Sequence, residues 1–106
     1  MDRSESQNVE DLAQRLDVAR HLLRNERRAR SPLVLFDRDA LDAQVALWRK
    51  HLPEVEPHFA VKTCNAPPVL RRLLEFGVSF DAATAGEIHL LERLGVPAAR
   101  VLCTHP

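Results

Sequence analysis

The sequence lacks the features of secreted, membrane-spanning and metal-scaffold proteins. It has only two cysteines, Cys64 and Cys103, which excludes a disulfide framework and the usual four-ligand zinc spacings, so both are predicted to be buried thiols. No apolar run approaches the roughly 20 residues of a transmembrane helix, and no secretory signal is present. The 15 basic and 15 acidic residues cancel, which gives no electrostatic reason to bind nucleic acid or an anionic membrane. We expect a cytoplasmic protein with neither partner.

A repeating order of strands and helices begins at residue 31. Before it, the apolar spacing after Asn8 predicts one amphipathic helix behind a polar, frayed leader. Strands are then predicted over residues 32–36, 58–63, 78–81 and 101–104. Helices between them are predicted to begin at Asp39, Pro67 and Thr84, the last through a capping box with Glu87. This alternation is typical of parallel βαβ units.

The length sets the size of the fold. A chain of 106 residues corresponds to one domain at most, and a small parallel sheet leaves its inner face and its edges bare. A closed eight-stranded barrel takes about 250 residues, so about three of its eight units fit here. The sequence therefore predicts an α/β fold made of the first βα units of a TIM-type (β/α)8 barrel. We expect residues 1–30 to form the leader and helix, and residues 31–106 to form the N-terminal part of an incomplete barrel domain.

Alternation along two predicted strands places two ionisable residues on one face. Phe59 and Val61 share the face that would meet the helices, whereas Ala60 and Lys62 share the other. By the same alternation Asp81 lies on the small-residue face of the next strand. The carboxyl ends of parallel barrel strands form the mouth where active sites are built. Lys62 and Asp81 are therefore predicted to approach one another at that mouth.

Lysine is rare in this chain, because only Lys50 and Lys62 accompany the arginines among its 15 basic residues. An amine, unlike a guanidinium, can lose its proton and form a Schiff base with an aldehyde. Lys62 at a strand end therefore suggests pyridoxal phosphate. The alternative is a solvated strand-end lysine paired with a carboxylate.

A family resemblance covers residues 32 to 106. It is carried by the segments Phe59-Ala60-Val61-Lys62-Thr63-Cys64-Asn65, Phe80-Asp81-Ala82-Ala83-Thr84, Glu87-Ile88, Leu94-Gly95-Val96 and Arg100-Val101-Leu102, followed by His105-Pro106. With these residues the chain resembles the fold-type III pyridoxal phosphate-dependent decarboxylases, the ornithine and diaminopimelate decarboxylase family. The resemblance implies a barrel of the alanine racemase and ornithine decarboxylase type.

The resemblance also implies a cofactor, two catalytic residues and a reaction. Lys62 would form the internal aldimine with pyridoxal 5′-phosphate, and Asp81 would hold the lysine ammonium once it is released. The reaction would be decarboxylation of a basic or diamino acid such as ornithine, lysine, arginine or diaminopimelate, in a homodimeric complete protein. The family's phosphate and side-chain sites come from later strands and a further domain. The 106 residues alone are therefore predicted to be inactive.

Three residues and two alternative functions stay open at this point. Cys64 and His105 stand where the family has asparagine, and His105 is either a loop residue or a residue of the mouth. Glu87 matches the family, although the capping box also explains it. The chain could instead be a non-catalytic regulatory homologue of the antizyme inhibitor type, or a small α/β binding module unrelated to pyridoxal phosphate.

Overall fold

The computed structural model describes residues 3–25 and 34–104. The chain divides into two compact units, Met1–Phe36 and Asp37–Pro106. The helices and strands, in chain order, are α1 Arg3–Asn25, α2 Arg38–His51, β1 His58–Ala60, α3 Pro67–Glu75, β2 Ser79–Ala82, α4 Ala85–Arg93 and β3 Val101–Cys103. Short 3-10 turns follow β1 at Val61–Thr63 and precede β3 at Ala98–Arg100.

The described residues of the first unit contain one helix, α1, whose apolar residues Val9, Leu12 and Leu16 are about half exposed. The helix begins at Arg3, so the prediction of a frayed leader is wrong for residues 3–7, and residues 1 and 2 lie outside the described part. Glu5 lies in the first turn, where a carboxylate interacts favourably with the positive end of the helix dipole and supports the early start. No helix within the two described ranges combines the length and apolar character needed to cross a bilayer.

The second unit is built around a parallel sheet of three strands in the order β1-β2-β3. Phe59 pairs with Phe80 in the first ladder, and Phe80 pairs with Val101 in the second. Helix α3 connects β1 to β2, and α4 connects β2 to β3. The predicted βαβ alternation is therefore confirmed for these three strands.

The strand predicted over residues 32–36 is not observed where it can be tested. Residues 32 and 33 lie outside the described part, and residues 34–36 have no regular secondary structure. Val34 is 92% exposed, and within the described ranges no backbone hydrogen bond joins residues 34–36 to a strand. An apolar run forms a strand only where a neighbouring strand accepts and donates its backbone hydrogen bonds.

The hydrophobic core lies between the helices and one side of the sheet. Its most deeply buried members come from the central strand and the helices, and they are Val61, Leu70, Leu73, Val78, Phe80, Ala82 and Leu91. Phe80, on the middle strand, is fully buried. The prediction that the bulky residues of alternate strand positions pack against the helices is confirmed.

Helix ends follow the predicted signals with small shifts. The α2 cap is Asp37, whose side chain accepts a hydrogen bond from the Ala40 backbone N–H, so the helix begins before Asp39. Gly77 follows α3 with φ +77°, a left-handed conformation that glycine adopts without a Cβ clash. Both halves of the α4 capping box, from Thr84 and Glu87, are present as predicted.

Helices α2 and α3 are joined by a bidentate ion pair. The Arg72 guanidinium donates to both carboxylate oxygens of Asp42, at 2.9 and 2.7 Å, and the two side chains are 29% and 26% exposed. The hydrogen bonds from Arg72 hold the pKa of the Asp42 carboxyl below its usual value. A two-pronged contact of this kind fixes the relative orientation of its partners as well as their distance.

The Asp42 ion pair predicts a pH dependence of folding. Because the pKa of Asp42 is lower in the folded chain than in the unfolded chain, its stabilising contribution is present above the unfolded pKa of about 4 and disappears as the pH falls through the folded value. We expect the melting temperature of wild type to fall more than that of Asp42→Asn between pH 6 and pH 3. Circular dichroism melts check this, with the exposed Glu54→Gln as the control that keeps the wild-type slope. Parallel curves for wild type and Asp42→Asn would contradict it.

Candidate active site

One side of the sheet presents the predicted site residues. The register places Ala60 beside Asp81 and Asp81 beside Leu102, and parallel strands in register carry these side chains on the same side. We call this side the open face. The buried residues of the helices cluster on the opposite side with Phe80, whereas Leu102 is 53% exposed. The open face is therefore where a ligand or further polypeptide can reach the sheet.

Lys62 lies just beyond the carboxyl end of β1. The prediction of a strand through Thr63 is wrong, because β1 ends at Ala60 and the 3-10 turn Val61–Thr63 follows. The turn buries Val61 completely and leaves Lys62 exposed. The apolar neighbour is thus packed into the core, and the amine stands in solvent beyond the end of β1.

Asp81 lies on β2 and is half-buried. Its Oδ1 accepts a hydrogen bond from the Thr104 hydroxyl at 2.6 Å. Within residues 3–25 and 34–104 no ion pair joins Asp81 to Lys62. The structure thus brings both residues to the carboxyl ends of neighbouring strands, as predicted, but the partner of the carboxylate is a threonine.

Thr104 and Glu56 are two polar residues that sequence reasoning missed. Thr104 lies two positions after Leu102, so strand alternation places both on the open face. This alternation can be read from the sequence alone. Glu56 accepts a hydrogen bond from the hydroxyl of Ser79, a side chain that is completely buried. Glu56 precedes β1 in a connection without regular structure. No strand or helix periodicity therefore predicts which way its side chain points.

The remaining sequence candidates have different positions. Glu87 Oε2 accepts the backbone N–H groups of Ala83 at 2.6 Å and Thr84 at 3.3 Å, so its carboxylate caps α4. Cys64 is half-buried against the core. Cys103 is exposed, and the prediction that it is a buried thiol is wrong because β3 is an edge strand of this sheet. His105 lies outside the described residues.

Comparison with known proteins decides the family. Residues 38–106 match the family model described as "Pyridoxal-dependent decarboxylase, pyridoxal binding domain". The chain belongs to this family. The match contains α2, the three strands and both βα units of the second unit. A binding module unrelated to pyridoxal phosphate is therefore excluded.

Two proteins similar to this chain have names that indicate different functions. Ornithine decarboxylase 2 of Drosophila melanogaster is 38% identical over a match that covers 70% of this chain and 19% of the relative. Antizyme inhibitor 2 of Homo sapiens is 37% identical over 58% of this chain and 15% of the relative. The family thus includes named decarboxylases and a named inhibitor of antizyme, both similar to this chain.

A solved structure confirms the fold class. The lysine/ornithine decarboxylase from Vibrio vulnificus, complexed with putrescine, superposes with a TM-score of 0.79 and 36% identity. The superposition covers 89% of this chain and 25% of that chain, so the chain spans between 15% and 25% of the length of the three proteins. The α/β arrangement corresponds to βα units of a TIM-type barrel, as predicted.

The cofactor of this family is pyridoxal 5′-phosphate, and the residues of the open face fit it. A primary amine is the group that reacts with an aldehyde, and the exposed Lys62 supplies one at the carboxyl end of β1. Ala60, the preceding residue of the open face, has the small side chain that lets a planar ring approach the sheet. The half-buried Asp81 adds a carboxylate for a cationic group.

Proposed function

We propose that this chain is the N-terminal part of a pyridoxal phosphate-dependent amino-acid decarboxylase in which Lys62 is the covalent attachment site of the cofactor. The observation that carries the proposal is the position of Lys62. It is one of only two lysines in the sequence, and it stands exposed where β1 ends, in a chain of the pyridoxal-dependent decarboxylase family. Lys50, by contrast, lies in the last turn of α2.

The roles of the two site residues follow from their chemistry. When bound, the cofactor supplies an electron sink for the carbanion that remains after carbon dioxide leaves. The Lys62 amine would hold the cofactor, and its Nζ, once free, would carry or return a proton at the reacting carbon. The Asp81 carboxylate accepts the Lys62 ammonium while it is displaced.

The proposal extends to the substrate, the partners and the cellular location of the protein. We propose a basic or diamino acid as substrate, which agrees with the ornithine and lysine in the names of the similar decarboxylases. The complete protein is proposed to be a cytoplasmic homodimer that binds neither nucleic acid nor membrane. We also propose residues 1–30 as an N-terminal segment that carries the amphipathic helix α1, and residues 31–106 as the N-terminal part of an incomplete barrel domain. The 106 residues alone are proposed to be inactive, since they lack a complete site to position substrate.

Covalent trapping tests the attachment site. The complete polypeptide that carries residues 1–106 is loaded with pyridoxal 5′-phosphate, reduced with borohydride, digested and mapped by mass spectrometry. We expect a stable label on Lys62 and none on Lys50. Lys62→Ala should abolish the label, and the matched control Lys50→Ala should retain it. A label on another side chain, or no label, would overturn the proposed function.

A regulatory function is the second candidate, favoured by the 37% identity with the human antizyme inhibitor 2. Such a protein would keep the barrel and bind a protein partner instead of converting substrate. When complete, it would show no absorbance band of a lysine-bound cofactor, although the same region would still fold. Absorbance spectra of the complete polypeptide, together with capture of a purified antizyme, separate the two candidates.

A further inference from the structure

The hydrogen bond between Thr104 and Asp81 is a short polar contact on the open face. The distance from Thr104 Oγ1 to Asp81 Oδ1 is 2.6 Å, which lies within the range for a hydroxyl that donates to a carboxylate. Only the hydroxyl can donate here, because an ionised carboxylate has no proton. The contact therefore fixes the position of Oδ1 of Asp81. The second oxygen, Oδ2, is left to point in a different direction.

Thr104 is itself held in place by the sheet. Its backbone N–H donates to the Ala82 carbonyl at 3.3 Å, so the β2–β3 ladder continues one residue beyond the end of β3. Threonine is β-branched and has few accessible χ1 rotamers. Backbone and side chain together hold the Thr104 hydroxyl at one point above the end of β2.

The second oxygen of Asp81 is oriented by this contact. Among the described residues Asp81 has one hydrogen-bond donor, Thr104, and Lys62 forms no ion pair with it. With Oδ1 engaged, Oδ2 retains both of its lone pairs for a cation. Asp81 is half-buried on the open face, so a cation can reach Oδ2 from that side of the sheet.

We propose that Thr104 is a positioning residue that locks the Asp81 carboxylate so that Oδ2 accepts the Lys62 ammonium when the lysine is displaced. This inference rests on the proposed function, since Asp81 has that role only if Lys62 holds the cofactor. Thr104 does not touch the reacting atoms and acts through Asp81.

Turnover of three variants of the complete polypeptide tests the effect on function. We expect Thr104→Val, which removes the hydroxyl and keeps the shape, to lower kcat by about 10- to 100-fold, the equivalent of one hydrogen bond to a charged group. Thr104→Ser should retain kcat within about threefold, because it keeps the donor. In an Asp81→Asn background, Thr104→Val should cause almost no further loss. The control is Cys103→Ala, an exposed neighbour on the opposite side of the strand.

A measurement of side-chain rotamers separates this inference from the proposed function. In the 106-residue chain, three-bond NMR couplings to Asp81 Cγ should report one χ1 rotamer for wild type and Thr104→Ser, and averaged rotamers for Thr104→Val. Equal couplings in all three, or an unchanged kcat of Thr104→Val in an enzyme that requires Lys62, would overturn the inference. If wild type shows no turnover and no label on Lys62, the proposed function fails, and the proposed role of Asp81 Oδ2 fails with it. The NMR couplings still report separately on whether Thr104 fixes the Asp81 rotamer.

Discussion

Phe80→Ala is expected to destabilise the second unit by about 3–5 kcal/mol, the usual cost of removing a buried phenylalanine side chain. Phe80 is fully buried, and it pairs with both neighbouring strands at the centre of the sheet. Removing the ring leaves a cavity that the paired strands cannot close. Since small domains have a total stability of only about 5–15 kcal/mol, one such loss removes a large share of the free energy of unfolding.

Urea denaturation of the 106-residue chain, followed by circular dichroism, measures this loss as a shift of the midpoint to lower urea. The matched control is Leu102→Ala on the adjacent strand, on the open face. Leu102 is 53% exposed, so its truncation should change stability by no more than about 0.5 kcal/mol. Equal midpoints for Phe80→Ala and Leu102→Ala would show that the core does not lie on the Phe80 side of the sheet.

Lys62→Arg is expected to lower the turnover of the complete polypeptide by about 10²–10⁴-fold, the range for loss of a positioned proton-transfer group. The guanidinium keeps the positive charge and much of the length of the side chain, but it stays protonated and does not form the bond with an aldehyde. Because Lys62 is exposed, the substitution should leave the melting temperature unchanged, so that the loss is chemical.

Release of carbon dioxide from ornithine, lysine and diaminopimelate measures the effect. The control is Lys50→Arg, which changes the other lysine, exposed in the last turn of α2, and should keep the wild-type rate. Turnover that survives Lys62→Arg would move the attachment site elsewhere and remove the basis of the proposed function.

The sequence predicts the second unit well because its signals are local and repeated. Alternation around Phe80 correctly separated the buried side of β2 from the side that carries Asp81. The capping box of Thr84 and Glu87, and Gly77 after α3, marked helix ends through hydrogen bonds and backbone angles that involve only near neighbours.

The errors occur where distant contacts decide the structure. Residues 34–36 have the composition of a strand, but composition does not supply the neighbouring strand that a ladder needs. β1 ends at Ala60 although the alternation of residue types continues through Lys62, so a period of two does not mark where pairing with β2 stops. Cys103 is exposed because β3 is an edge strand, and Thr104 bonds to Asp81 across 23 positions. Strand order and side-chain pairing of this kind are properties of the folded sheet.

The alternation along β2 also limits which length changes the gene can tolerate. Ser79, Phe80 and Asp81 alternate between the two sides of the sheet, and an inserted or deleted codon within the strand would exchange those sides. The aromatic ring would then enter water and the carboxylate would enter the core. Indels among homologous genes should therefore collect in the connections between elements, such as the segment between α2 and β1, and avoid codons 79–82.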